Sequence, residues 1–492
     1  MRGTALALAA LSLLSTSEAI NLVKRSAPSV VGLEIERKHV SNPIEHDKAR
    51  RRWKRQEDEE KWVLQDLDNE KSLYFCNITL GTPPQHIRTH IDTGSSDLWV
   101  NTPNSQFCRE PGNCQGGTFD RDRSSTDQTV SDDFNITYVD GSQAVGEYIT
   151  DTIGIGGVEI EDFQFGLGTQ STSGQGVLGI GYVTNEVQAT RNRREPYPNL
   201  PQALVDQGYI NSNAYSLWLN DLDANTGEIL FGGVNTAKYE GALGTLPILE
   251  SQDGVYRELA IGMTGLALND SDGNVQDYSR RHFPIPALLD TGSTLTYLPA
   301  RLVEEIYLTF DVSYDAEFGG GFVPCDMAER PDQFIFGFSE PAIAVDLNEM
   351  VIDMGPYEFR DGTPACVFGI APADGHIPIL GDTFLRSAYV VYDLDNNEIS
   401  LAKTRFNSSG DEILEIGSGE DAVPDATGVS APVTSVEATA TSGGHRGSPT
   451  GSEGVVGSDA TETPGAATMV RPDVTLKLAA GLAGAGMVFA AM

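Results

Sequence analysis

The sequence has no CxxC pair and no Cys/His cluster among its 5 cysteines and 7 histidines, so no zinc-binding pattern is recognisable and no metal or cofactor is called for. Positive charge is scarce: 33 Lys+Arg stand against 70 Asp+Glu, a net charge of −37. Residues 1–55 carry a surplus of +6, which leaves −43 on the rest. Such a body repels phosphates and argues against nucleic acid as a partner. It suits cationic substrates, or solubility at low pH. Neither apolar stretch, 5–14 or 478–492, is long enough to span a bilayer as a helix. Helical periodicity is scarce. What is plentiful is glycine, 52 residues, between short alternating apolar runs such as 134–140 and 388–403, the pattern of β-hairpins. The two best helical stretches are 199–208 and 300–310, read as comparable places in two halves of the chain.

The ends differ from the middle. Residues 1–19 have a positive start at Arg2, an apolar run and a small-x-small site at Ser17-Glu18-Ala19, as in a secretory signal. Residues 20–55 are basic and hold Lys24-Arg25 and the cluster Arg50–Arg55. An abrupt switch to acidic residues at Gln56 predicts a pro-segment cut after Arg55 by a processing protease. Its positive charge suggests that it blocks an acidic cleft. Residues 411–465 are rich in Ser, Thr, Gly, Ala and Pro and predict an extended stalk. Small residues near Gly465, a polar spacer and the tail at 478–492 match a GPI-attachment signal over 466–492. Gly465 is the expected attachment residue, with Ser458 as the alternative; a short tail anchor is the competing reading. Sequons at Asn77, Asn135, Asn269 and Asn407 suit a secreted glycoprotein. Cys108 and Cys114 predict a small disulfide-closed loop, Cys325 and Cys366 a longer one, and Cys76 a buried free thiol. The basic loop at 190–195 is a candidate nick site.

Two segments are near-copies: DTGSSDLWV at 92–100 and DTGSTLTYLP at 290–299. Each presents one aspartate, Asp92 or Asp290, on a Gly turn. A repeat of this kind points to duplication, with the two carboxyls meeting on a local two-fold axis. Two carboxyls in contact do not both ionise readily, so the pair holds one proton. One member then acts as base and the other as acid, the equipment for adding water to an amide.

With these motifs, and with YFCNITLGTPPQ at 74–85, TYVDGS at 137–142, GVLGIGY at 176–182 and PILGDTFLRSAYVVYD at 378–393, the chain resembles the pepsin-type aspartic endopeptidases over about residues 74–406. The resemblance implies an all-β, bilobal fold with pseudo-two-fold symmetry and few short helices. An N-terminal lobe at 56–245 would carry Asp92, and a C-terminal lobe at 246–410 would carry Asp290. It implies that Thr93 and Thr291 lock the lobes across the axis. Gly94 and Gly292 would turn the backbone, and Ser95 and Ser293 would donate to the carboxylates. Tyr138, Asp140 and Gly141 would form a flap over the substrate, with Trp99 bonded to the Tyr138 hydroxyl. Val139 and Asp140 depart from the usual flap tip, and Asp140 there could meet a basic side chain.

The ends of the chain further resemble the fungal yapsin-like group, which sits at the cell surface and cuts after basic residues. The expected protein is a monomer that follows the secretory pathway to a GPI-anchored place on the plasma membrane or wall and acts on peptides. A broad-specificity acid protease is the alternative. A catalytically silent binding or wall protein on the same fold is the second class.

Overall fold

The computed structural model describes residues 30–40 and 70–436, apart from 111, 139–141, 225, 317, 356 and 374. The signal, the cluster at Arg50–Arg55, Gln56, Asp140, Gly141, Ser458, Gly465 and the tail lie outside the described residues.

The amino-terminal half runs β1 (Val31–Val40), β2 (Glu70–Leu80), β3 (Gln85–Asp92), β4 (Leu98–Asn101), β5 (Gln128–Thr137), β6 (Gln143–Ile155), β7 (Val158–Ser171) and β8 (Gly176–Gly179). Then β9 (Ala214–Trp218) and β10 (Thr226–Phe231) lead into the second half. A single 14-stranded sheet joins all ten to strands 239–247, 388–393, 398–404 and 426–428. Short strands broken by Gly and Asn turns need partners from both halves to bury their apolar faces, and this shared sheet supplies them. Its apolar face feeds one core, from Ile78 and Ile91 through Leu217 to Leu289 and Val390.

The boundary expected between 245 and 246 falls inside strand Tyr239–Pro247, because that strand belongs to the shared sheet. A five-stranded sheet of 260–263, 285–289, 379–380, 296–298 and 370–372 carries the second aspartate turn. Among the described residues the α-helices are Val187–Thr190, Leu200–Asp206, Ala300–Phe310 and Asp382–Leu385. Leu200–Asp206 follows the β8 segment, whereas Ala300–Phe310 follows the Asp290 turn itself. The two are therefore not symmetry mates, contrary to their reading from sequence.

Part of the expected pro-segment and part of the expected stalk are built into the body. Residues 31–40 form β1, paired antiparallel with both β10 and β2, with Val31 and Leu33 buried. The first part of the stalk expected from residue 411 pairs with the sheets instead. Ile413–Glu415 pairs with 233–235, Ala426–Gly428 adds a parallel strand at the sheet edge, and Ile416 and Val423 are buried. Disulfides join Cys108 to Cys114 and Cys325 to Cys366. Cys76 is a buried free thiol that burial pushes up to about 11.

Candidate active site

Asp92 ends β3, and Asp290 follows the equivalent strand Ile285–Leu289. Both are buried, at 1% and 3% exposure, so their carboxylates depend on protein donors. Those donors match between the halves. Gly94 N–H donates to Asp92 Oδ1 at 2.9 Å, and Gly292 N–H to Asp290 Oδ1 at 2.8 Å. Ser95 Oγ donates to Asp92 Oδ2 at 2.6 Å, and Ser293 Oγ to Asp290 Oδ2 at 2.9 Å.

The two turns are locked across the axis. Thr93 N–H donates to Thr291 Oγ1 at 3.1 Å, and Thr291 N–H to Thr93 Oγ1 at 3.0 Å. Each hydroxyl then donates to the strand opposite: Thr93 to the Leu289 carbonyl at 2.9 Å, Thr291 to the Ile91 carbonyl at 3.0 Å. Valine at either position would leave buried backbone groups unpaired. The turns are also close. A Cβ on Gly94 would stand 2.6 Å from Asp290 Oδ1, so only glycine lets the second carboxylate approach the first turn.

The apolar-apolar-Gly segments have the same kind of explanation. A Cβ on Gly179 would lie 2.5 Å from Ser96 N, and one on Gly381 2.2 Å from Ser293 O. Each glycine is the seat on which an aspartate turn rests. Two stacked tyrosines, Tyr215 and Tyr392, have ring centroids 5.0 Å apart. Burial keeps both phenols protonated.

Strands β5 and β6 pair as a hairpin, Thr137 opposite Gln143. Tyr138 N–H bonds the Ser142 carbonyl at 2.8 Å, closing the hairpin beneath its tip. Trp99 Nε1–H donates to the Tyr138 hydroxyl at 2.8 Å. Trp99 is wholly buried and packs with Phe134, Tyr138, Tyr148 and Tyr197.

Sequence reasoning missed the polar heart of that cluster. Asp97 is buried, with Tyr148 and Tyr197 hydroxyls on Oδ1 at 3.0 and 2.9 Å and Val187 N–H on Oδ2 at 2.9 Å. Glu186 is fully buried and accepts Tyr197 N–H at 2.9 Å, while its Oε1 has no partner among the described residues. Burial pushes both carboxyls up, Glu186 to about 9. Asp97 has three donors and so is the ionised member; Glu186, with one, keeps the proton. The position of Asp97 inside the first motif was the one signal available. His90, two residues before Asp92, was also missed.

Of the sequons, Asn77, Asn135 and Asn407 are exposed and Asn269 is half-buried; the Asn407 amide donates to Asp221. The loop at 190–195 is mostly exposed, and Arg194 pairs with Asp133 at 2.8 Å.

The model of the family described as Eukaryotic aspartyl protease matches residues 73–404. The chain is 53% identical to a protein of Arthroderma benhamiae named "Probable aspartic-type endopeptidase OPSB", over 98% of each chain. It is 36% identical to "Aspartic proteinase yapsin-3" of Saccharomyces cerevisiae, over 74% of this chain and 71% of that one. The aspartic proteinase of Irpex lacteus shares the fold, with a TM-score of 0.55 at 22% identity, covering 69% of this chain and 96% of the other. With that family model matching residues 73–404 and a relative 53% identical over 98% of each chain, the chain belongs to the eukaryotic aspartyl proteases and is an aspartic-type endopeptidase.

Proposed function

We propose that the protein is a secreted, GPI-anchored endopeptidase that cleaves after basic residues at the cell surface, with Asp92 and Asp290 as its catalytic pair. The observation that carries the chemistry is the matched set of donors on two carboxylates whose turns touch. Hydrogen bonds from Gly, Ser and Thr hold both groups rigid. The ionised carboxylate takes a proton from a water held between the pair as that water attacks the scissile carbonyl. The protonated one donates to the carbonyl oxygen as charge develops there. Tyr138 and Trp99 form the root of a flap that covers the peptide, and the residues of the two turns supply the positioning.

The acidic body, −43 outside residues 1–55, supports a cationic substrate. Asp140 at the flap tip is the candidate partner for a basic side chain. Anchoring rests on the stalk and tail composition, and secretion on the signal pattern, the two disulfides and the exposed sequons. Activation rests on the basic cluster ending at Arg55. The β1 pairings mean that a cut there leaves residues 31–40 bound by main-chain hydrogen bonds on both sides.

The test is a peptide panel with Lys or Arg against Leu or Phe at the cut site, assayed over several pH values with and without a statine-type inhibitor. Inhibited cleavage after Lys and Arg supports the reading. Equal use of apolar sites makes the enzyme a broad-specificity acid protease. Full biological function of Asp92→Asn would make it a binding protein. Release of the protein from membranes by a phospholipase that cuts GPI tests the anchor.

A further inference from the structure

The two aspartate turns are close copies in their donors, but the strands that deliver them differ at one point. Thr89-His90-Ile91-Asp92 stands against Ala287-Leu288-Leu289-Asp290, so His90 takes the place that Leu288 takes in the other half. Side chains two apart on a strand share a face, which puts His90 on the Asp92 side of β3. His90 is 6% exposed, and its ring lies 5.7 Å from that of Phe75 on β2. Its Nε2 is 3.4 Å from the carbonyl oxygen of Thr291, in the opposite half. A carbonyl oxygen only accepts, so in this contact Nε2 carries the proton.

That carbonyl belongs to the Thr291–Gly292 peptide unit. The N–H of the same unit donates to Asp290 Oδ1 at 2.8 Å. The result is a line of donors: His90 Nε2–H to the Thr291 carbonyl, then Gly292 N–H to the Asp290 carboxylate. Hydrogen bonds in series polarise one another where water is excluded. Leu288 has no donor to offer Asp92 in return.

We propose that His90 is a positioning residue that acts through the Thr291–Gly292 peptide to place the negative charge of the pair on Asp290 and the proton on Asp92. The reaction then has a direction. Water oxygen bonds the scissile carbon and gives its proton to Asp290, while Asp92 gives its proton to the carbonyl oxygen. In the collapse, the C–N bond breaks and the amine takes the proton on Asp290. Asp92 recovers a proton from one hydroxyl of the diol as the carbonyl reforms, and the pair returns to its starting state. Other charged or titratable groups around His90 are Asp92 on its own face, Asp290 across the axis and Arg88, whose guanidinium lies 5.0 Å over the Phe75 ring. Tyr215 and Tyr392 stay protonated.

The inference rests on peptide hydrolysis by this pair, which statine-type inhibition of the wild type checks separately, and not on basic-residue preference. The test compares His90→Leu, which copies the other half, with His90→Gln, which keeps an N–H donor. The readout is the pH dependence of kcat/KM, with thermal unfolding of each variant measured alongside. For His90→Leu, the acid limb should move up by about half a pH unit. Its plateau kcat should fall roughly 3- to 10-fold at nearly unchanged KM. His90→Gln should recover most of both effects. If His90→Leu does not fold, His90→Gln and His90→Asn carry the test, the longer amide keeping the wild-type acid limb and the shorter one shifting it. Wild-type acid limbs in all variants, or equal losses in Leu and Gln variants, would overturn the proposal.

Discussion

Replacing Glu186 with Gln probes how acid protects the amino-terminal half. The Glu186 carboxyl is fully buried, holds one N–H at 2.9 Å and leaves its second oxygen without a partner. Burial raises it from 4.5 to about 9, opposed by the Tyr197 N–H and reinforced by the charge of Asp97. The folded value lies above the unfolded one, so the folded chain keeps a proton that the unfolded chain releases. Stability from this group is fully present below pH 4.5 and is lost as pH rises toward about 9. Each pH unit in that window costs about 1.4 kcal/mol, so near pH 7 the loss is about 3 kcal/mol. Glutamine has the same shape and no ionised form. Urea unfolding at a series of pH values should therefore show the wild type losing about 3 kcal/mol more than Glu186→Gln between pH 4.5 and 7. The difference between the two curves removes the contribution of every other carboxylate. Activity offers a second readout, because Tyr197 joins Glu186 to Asp97 and Tyr148 joins Asp97 to strand β6. Glu186→Gln should survive incubation near neutral pH longer, with the alkaline limb of its rate profile unmoved. Parallel stability curves for the two proteins would refute the reasoning.

Asp92→Asn and Asp290→Asn should each lower kcat/KM by about 10⁴-fold or more while circular dichroism stays native. Tyr138→Phe removes the hydroxyl that accepts Trp99 Nε1–H and leaves that buried donor unpaired, which should lower kcat/KM roughly tenfold in a peptide assay. Removing the Cys325–Cys366 disulfide, with its sequence separation of 41, should lower unfolding free energy in urea by about 4 kcal/mol. Arg386→Met strands the buried Glu349 carboxylate, which now accepts from Arg386 Nε, at a cost of about 3–5 kcal/mol. Adding Glu349→Leu should recover much of that loss in the same unfolding assay.

The two interlocked aspartate turns were legible because each aspartate brings its own turn, donors and cross-axis threonine within four residues. The strand pattern and the Cys108–Cys114 disulfide were legible for similar reasons: alternation and close cysteines are local signals. What escaped notice is held together by distance. Asp97 meets Tyr148 and Tyr197 across 51 and 100 residues, and His90 meets Thr291 across 201. None of these pairs leaves a mark in a sequence window. Residues 411–436 were misread as stalk because their composition is poor in large apolar side chains. They are held instead by main-chain strand pairing and by two burials, Ile416 and Val423. The helices 200–206 and 300–310 were misread as mates because amphipathic pattern says nothing of where in a duplicated unit a helix stands.

The halves agree at the site and diverge behind it. Behind Asp92 the buried polar group is Glu186, which is comfortable only while protonated, so rising pH weakens the amino-terminal half. Behind Asp290 it is the pair of Glu349 and Arg386, reached through the short helix Asp382–Leu385. Burial alone would lower the Arg386 guanidinium, but the charges of Glu349, Tyr74 and Asp382 more than offset this and raise it. Removing either partner leaves the other buried without its counter-charge. The pH-sensitive buried group is therefore placed behind Asp92. Hydrogen exchange should show β5 and β6 opening first as pH is raised from 4.5 toward about 9, and Glu186→Gln should restore their protection. Equal protection of β5 and β6 in the two proteins across that range would show that Glu186 does not set the limit.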